Sequence, residues 1–314
     1  MKVGIPRALL YYFYKDLWLN FFENLNVEII ISPETNKEIT EIGIKNSIDE
    51  ACFASKIFIG HVGYLLDKCD MTFVMRIENT GMREEHCTMM YGVYDLVRST
   101  FPDAKLLHSD VNFLYGKKEP EAFVEIGLIL GKSEDESLNA YNNAVLAAKR
   151  AKEVKVLQQE ELLSSDGAKV LIFAHTYNTY DAAIGKTVTN FFAENDIKIA
   201  HSDVIDEKEA HTLTQEIYGK RIYCKVTSQQ FGGARKYRSL VDGIVIISTF
   251  PCGPDSIFSE MLMRQIKDKP ILNLIIDELE SGAGIQTRLE SFTDIIMAHR
   301  EARRARDCFN NWNV

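Results

Sequence analysis

The sequence predicts an α/β protein of two Rossmann-like, doubly wound domains with mostly parallel sheets, joined by a helical connector. Three observations carry this expectation. Short β-rich runs alternate with helical stretches from one end to the other, the pattern of parallel sheets with crossover helices. The chain has 314 residues, more than a single core usually fills. An almost wholly helical stretch, Glu119–Leu163, divides the alternation into two parts. The expected domains are therefore residues 1–116, a connector over 117–165, and residues 166–314.

In the first part, strands are expected at Lys2–Ile5, Val27–Ser32, Met71–Ile77 and Ala104–His108. Tyr11–Leu25 is helical in pattern, with Leu17, Phe21, Phe22 and Leu25 recurring on one face. The connector opens on Ser133 and Glu136, the S-x-x-E spacing of a reciprocal capping box. In the second part, strands are expected at Ala168–His175, Ile197–His201, Arg221–Val226, Val241–Ser248 and Ile271–Asp277. The two halves share an architecture, and no short-period repeat runs through either.

Composition narrows the function. A net charge of −9 disfavours nucleic-acid binding by the surface as a whole, because phosphate neutralisation needs a basic field. Arg300, Arg303, Arg304 and Arg306 form one local cluster, read as a solvated helix end favoured by the macrodipole. No run reaches the roughly 18–20 apolar residues of a membrane helix, and the start lacks the apolar core of a signal peptide, so a cytoplasmic protein is expected. In that compartment six cysteines point to metal binding, redox work or burial rather than to disulfides.

Doubly wound sheets bind ligands outside the carboxyl ends of their strands. Three cysteines have that address. Cys252 lies in Ser248-Thr-Phe-Pro-Cys-Gly-Pro-Asp-Ser256, between an apolar strand and a helix expected near Ile257. Cys87 opens a helix after a polar loop over Glu78–His86. Cys52 stands near a helix start that Ser47-Ile-Asp-Glu50 marks as a capping box. Thiolates on separate elements suit an iron–sulfur cluster, zinc or copper, yet no C-x-x-C pair occurs, so spacing alone leaves burial open. Cys69, Cys224 and Cys308 read as small buried hydrophobes, Cys224 alternating with Ile222 and Val226 on a strand. Gly185-Lys186-Thr187 resembles the end of a phosphate loop, but Tyr180 stands where that loop needs its first glycine, so ATP binding is not encoded there.

Several longer motifs carry a resemblance: Gly4-Ile-Pro-Arg-Ala-Leu-Leu-Tyr-Tyr12, Ser32-Pro-Glu-Thr-Asn-Lys37, Asp49-Glu-Ala-Cys52, Gly60-His-Val62, Tyr177-Asn-Thr-Tyr-Asp181, Phe250-Pro-Cys-Gly-Pro-Asp-Ser256 and Thr287-Arg-Leu-Glu290. On these the chain resembles the activase-related branch, a domain of unknown function, of the 2-hydroxyacyl-CoA dehydratase / benzoyl-CoA reductase family. The resemblance implies a 4Fe-4S cluster in the interdomain cleft, held by Cys52, Cys87 and Cys252, with an 8Fe-9S double cubane or zinc as alternatives. It further implies a separate ATP-dependent, activase-like electron donor, a small-molecule or CoA-thioester substrate, and a homodimer or heteromer as the working unit. The expected chemistry is low-potential reduction or dehydration; the alternative is a cluster-bearing accessory or electron-transfer protein without its own substrate. Candidates around the cluster are His61, Arg76, His86, Tyr177, Asp181, Asp255, Asp277 and Glu278. Leu279, after Asp277-Glu278, replaces the polar residue expected there.

Overall fold

The computed structural model describes residues 1–81, 84–219, 222, 224–279 and 282–311, with the side chains of residues 84 and 303–311 outside that description. Two compact units emerge: residues 1–154 with 180–183 and 222–226, and residues 155–179, 184–221 and 227–314. The fold is α/β throughout, and each unit holds a four-stranded, all-parallel sheet.

In chain order the first unit carries β1 (Lys2–Ile5), α1 (Leu10–Asn24), β2 (Glu28–Ile31), α2 (Lys37–Lys45), α3 (Phe53–Leu65), β3 (Met71–Phe73), β4 (Arg76–Gly81), β5 (Glu84–Glu85), α4 (Thr88–Tyr91), α5 (Val93–Thr100), β6 (Leu106–Leu107), β7 (Asp110–Asn112), α6 (Glu119–Ile129) and the beginning of α7 (Glu134–Ser164). Its main sheet runs β2-β1-β3-β6. The chain leaves β1 to one side and then crosses to the other, which makes the carboxyl end of β1 a topological switch point. Aromatic rings from α1 fill the core: Trp18 and Phe22 meet Phe73 edge-on at 5.0 and 5.1 Å, and Phe21 meets Phe123 at 4.8 Å. Edge-to-face pairing of this kind adds about 0.5–1.5 kcal/mol to the burial of each pair.

The second unit carries β8 (Lys169–Ala174), α8 (Thr176–Tyr180), α9 (Lys186–Glu194), β9 (Lys198–His201), α10 (Glu207–Tyr218), α11 (Lys225–Tyr237), β10 (Gly243–Thr249), α12 (Gly253–Gln265), β11 (Ile271–Ile276) and α13 (Gly282–Asn311). Tyr180 at the end of α8 and Lys225–Val226 at the start of α11 cluster with the first unit. The sheet order β11-β10-β8-β9 repeats the first unit's plan, with β8 in the place of β1. Every residue of β8 and β10 is buried, as expected of strands covered by helices on both faces.

The capping box forms as expected: the Ser133 N–H donates to Glu136 Oε2 at 2.8 Å and the Glu136 N–H to Ser133 Oγ at 3.2 Å. Five local expectations are corrected. Met71–Ile77 is not one strand, because His108 Nδ1 takes the Val74 carbonyl at 2.9 Å and interrupts the ladder, sending Arg76 into a second sheet. Glu78–Gly81 and Glu84–Glu85 are strand, not loop, Met82 and Arg83 lying outside the described residues: β5-β4-β7 is a three-stranded sheet in which buried Asn79 is satisfied by Asn112 Oδ1 at 3.2 Å and by the Leu114 N–H. Ser47–Glu50 starts no helix; the segment turns, and α3 begins at Phe53 with Cys52 as its extended N-cap. Arg221–Val226 is not a strand, since α11 begins at Lys225 and Cys224 makes one isolated bridge to Glu85; Arg221 and Tyr223 lie outside the described residues. Helical packing wins over β propensity there, because Gly232 and Gly233 press against Ala210 and Ser202, where a Cβ would sit within 2.5 and 1.8 Å of carbonyl oxygens. Finally, α12 starts at Gly253, four residues before Ile257.

Among the described residues no helix is long and apolar enough to cross a membrane. In the basic C-terminal cluster, Arg300 lies 3.9 Å from Asp242; the side chains of Arg303, Arg304, Arg306 and Cys308 fall outside the described ones.

Candidate functional site

The three singled-out cysteines share one local geometry. Cys52, Cys87 and Cys252 are the N-cap residues of α3, α4 and α12, with φ/ψ of −63/147°, −58/143° and −84/104°. Each is half-buried, and none of the three thiols caps its own helix. An N-cap next to a helix's positive end favours a thiolate or a bound anion. Cys252 follows the cis Phe250–Pro251 bond; its N–H reaches the Thr249 carbonyl at 2.8 Å, and its own carbonyl accepts from Ser256. Cys52 and Cys87 belong to the first unit and Cys252 to the second. Among the described residues no three His, Cys, Asp or Glu side chains are gathered as a metal-binding group.

Around the carboxyl ends of β1 and β2 the first unit buries a polar chain. The Arg7 N–H donates to Ser32 Oγ at 2.8 Å, and Ser32 Oγ lies 2.7 Å from His61 Nδ1. His61 Nε2 is 2.9 Å from Thr35 Oγ1, which donates to Asp181 Oδ2 at 2.6 Å. Asp181 Oδ1 accepts the Ala183 N–H at 2.9 Å, and Tyr12 hydrogen-bonds the same carboxyl. His61 and Ser32 are fully enclosed, and Asp181 is 1% exposed. Burial, with Arg7 adding to it, pulls the His61 imidazole down to about 3, so it is neutral. Burial pushes Asp181 up to about 6, against the pull of Thr35, Ala183 and Tyr12. Beside the chain, in the β1–α1 loop, Leu9 holds φ 45° and ψ −115°, a conformation costly for a residue with a Cβ.

The corresponding strand ends of the second unit hold a histidine–carboxylate pair. His175, directly after β8, sits 2.9 Å from Asp255 Oδ1 in the first turn of α12, with side-chain exposures of 9% and 10%. Burial alone would lower the imidazole's pKa; Asp255, through its charge and its hydrogen bond, and Asp203 more than offset this, so the pKa is raised. Tyr177 stacks on His175 with ring centroids 5.0 Å apart and planes 10° from parallel.

The remaining candidates have structural occupations. Arg76 pairs with Asp95 at 2.5 Å and approaches Asp110 at 3.6 Å beneath Tyr94. His86 meets the Tyr14 hydroxyl at 3.3 Å. Asp277 accepts the Leu279 N–H at 2.7 Å in a turn after β11; Glu278 is half-buried, and Leu279 is 87% exposed. Cys69 donates to the Leu65 carbonyl at 3.2 Å, which gives it a local role. Sequence reasoning missed Ser32, Thr35, Tyr12 and His175. The first three lie inside motifs that carried the family resemblance, and that was the signal available.

Residues 2–205, more than half of the chain, match the family described as the CoA enzyme activase uncharacterised domain. The chain belongs to that family. No curated protein matches it. Two solved structures align over nearly its whole length: the SBP FpvC from Pseudomonas aeruginosa in complex with Mn2+, and ZnuA. The first covers 96% of this chain and 99% of its own at 12% identity and a TM-score of 0.29. The second covers 95% and 99% at 10% identity and a TM-score of 0.27. The matched segment of this activase-domain protein contains Cys52, Cys87 and the whole of the Ser32–His61–Thr35–Asp181 chain, while Cys252 and Asp255 lie beyond it.

Proposed function

We propose that this activase-domain protein carries a 4Fe-4S cluster on Cys52, Cys87 and Cys252. It would then take electrons from an ATP-dependent, activase-like partner for the reduction or dehydration of a small, CoA-linked substrate. The observation that supports the reading best is the common address of the three thiols. Each is a half-buried N-cap in extended backbone, not used to cap its own helix, and of the soft type that such clusters select. When bound, the cluster would supply one-electron transfer and, at an iron without a protein ligand, Lewis acidity.

The chain's own residues have narrower tasks. The α3 and α12 N-termini favour negative charge near Cys52 and Cys252. Asp255 and His175 hold the first turn of α12 against the end of β8. Three ligands rather than a larger double cubane is the reading we adopt; Cys69, whose thiol donates to the Leu65 carbonyl four residues earlier, is left out of the ligand set.

Iron and acid-labile sulfide after anaerobic purification, with electronic and electron-paramagnetic spectra, test the reading. About four of each per chain is expected, with the signal lost or altered in Cys252→Ser. Zinc without sulfide, or an unchanged signal in that variant, refutes the assignment.

A further inference from the structure

The polarity of the buried chain in the first unit can be assigned from its two ends. A peptide N–H only donates, so Ser32 Oγ accepts from Arg7 at one end. An ionised carboxylate only accepts, so Thr35 donates to Asp181 at the other. Thr35 Oγ1 must then accept from His61 Nε2–H, which leaves the neutral ring's Nδ1 bare to accept the Ser32 hydroxyl. Every hydroxyl and imidazole hydrogen points the same way, from the Arg7 amide towards Asp181. The ionised carboxylate sets this direction; at the Arg7 end Ser32 Oγ has a second, longer contact to the Ile5 carbonyl at 3.5 Å, an acceptor it would use only if the chain ran the other way.

We propose that Asp181 is a proton-exchanging group of this protein, that Ser32, His61 and Thr35 are its positioning residues, and that Tyr12 is the route by which its proton enters and leaves. The donors on the carboxyl are Thr35 O–H, the Ala183 N–H and the Tyr12 phenol, and none is a cation. A carboxyl removed from water without a cationic partner holds its proton to higher pH than an exposed one. Tyr12 and Glu34 are the titratable groups that act on it directly; Glu34 repels the charged form, and Tyr12, itself influenced by Arg7, Tyr11 and Glu34, is held far above the ordinary phenol range by burial. Proton exchange then has one consistent path. A proton arriving from solvent bonds to the Tyr12 oxygen as the Tyr12 hydrogen passes to the carboxylate; release runs in reverse, with no net change at Tyr12.

The assignment stands on the first unit alone. Where the reductive or dehydrative reading of the function also holds, the proton that Asp181 releases through Tyr12 is suited to a leaving hydroxyl or a reduced carbonyl oxygen. The motifs Gly4–Tyr12, Ser32–Lys37, Gly60–Val62 and Tyr177–Asp181 converge on this one carboxyl.

The test is nuclear magnetic resonance of protein prepared with labelled histidine and aspartate, with no metal needed. At about pH 7, where a free histidine is largely neutral and Asp181 is largely ionised, His61 should show a bare Nδ1 and a protonated Nε2, and the ring should stay neutral down to about pH 5. The Asp181 carboxyl should titrate near 6. Thr35→Val should raise that midpoint by about one pH unit, since a donor to the charged form is lost, and shift His61 towards the Nδ1–H tautomer. Thr35→Ser should restore both, and should Thr35→Val not fold, Tyr12→Phe serves in its place with the same upward shift. A His61 protonated on Nδ1 or doubly protonated at neutral pH overturns the polarity. An Asp181 midpoint at the ordinary carboxylate value, unmoved by Thr35→Val and Tyr12→Phe, overturns the proton-exchange role. Both results are independent of iron content, so they do not bear on the cluster.

Discussion

Replacing Asp255 by alanine should unfasten the second unit at the mouth of its sheet. The His175–Asp255 contact is 2.9 Å long, with both side chains about nine-tenths buried, and Asn178 Nδ2 stands 3.4 Å from the other carboxylate oxygen. Removing one partner of such a pair strands the other charge in a low-dielectric setting, at a cost of about 3–5 kcal/mol. That is a large part of the roughly 5–15 kcal/mol that a domain has. Asp255→Asn keeps the volume and an acceptor but loses the charge-assisted bond, so about 1.5–3 kcal/mol is expected. The pH dependence has a definite sign. His175 has a raised pKa in the fold, so its contribution is complete below the unfolded value of about 6.5 and is lost as pH rises through the higher folded value. The gap between wild type and Asp255→Ala should therefore be widest near pH 6 and narrow towards pH 9, by about 1.4 kcal/mol for each unit of elevation. Urea unfolding at several pH values, with hydrogen exchange read on β8, β10 and α12, measures it. A loss below about 1 kcal/mol at every pH, or a gap that widens with pH, would show that the pair is not the charged, buried contact described.

Two further predictions concern the frame of the first unit. Gly60→Ala should cost about 3 kcal/mol or more, because its Cβ would stand 2.0 Å from the Ile39 carbonyl oxygen where α2 crosses α3; thermal unfolding checks it, and a neutral substitution would mean that the two helices are not in backbone contact. Ser133→Ala removes the hydroxyl that caps Glu136 N–H and should cost about 1 kcal/mol, read as earlier exchange of the first amides of α7 with the rest of that helix unchanged.

How legible these features were in the sequence follows from where each signal resides. The strands β8 and β10 announce themselves because parallel strands covered on both faces need unbroken apolar runs, and Val170–Ala174 and Gly243–Ser248 are such runs. The break after β3 was hidden for the same reason. Met71-Thr-Phe-Val-Met-Arg-Ile77 reads as one strand, and what divides it is a histidine more than thirty residues away taking a single carbonyl. At Arg221–Val226 the local preference for strand was real but lost to the close approach that Gly232 and Gly233 allow. The cysteines at helix starts were legible one at a time, because caps are local. The chain from Ser32 to Asp181 was not, since one of its hydrogen bonds joins residues 146 positions apart; what the sequence did display was that all of its members sit in motifs.

The two polar contacts bear on the thiols in the same way. Helix α3 carries Cys52 at its N-cap and, further along, His61, which Ser32 and Thr35 grip on both ring nitrogens. Helix α12 carries Cys252 at its N-cap and, within its first turn, Asp255, gripped by His175. Each of these helices has 13 residues and each is fixed to the carboxyl ends of its own sheet by a buried histidine contact. A hydrophobic face alone lets a helix slide or roll by a fraction of an ångström at little cost, whereas a buried hydrogen bond between charged or polar groups fails over the same distance. Such a contact fixes the position of the helix start, and with it the thiol that stands there, to the tolerance that the proposed metal coordination would demand. On the proposed cluster assignment, substitutions at His61 or Asp255 should therefore act first on stability and only through it on iron content, while substitutions at Cys52 or Cys252 should do the reverse. That ordering separates the supports from the ligands, and a purely structural role for the cysteines would not produce it.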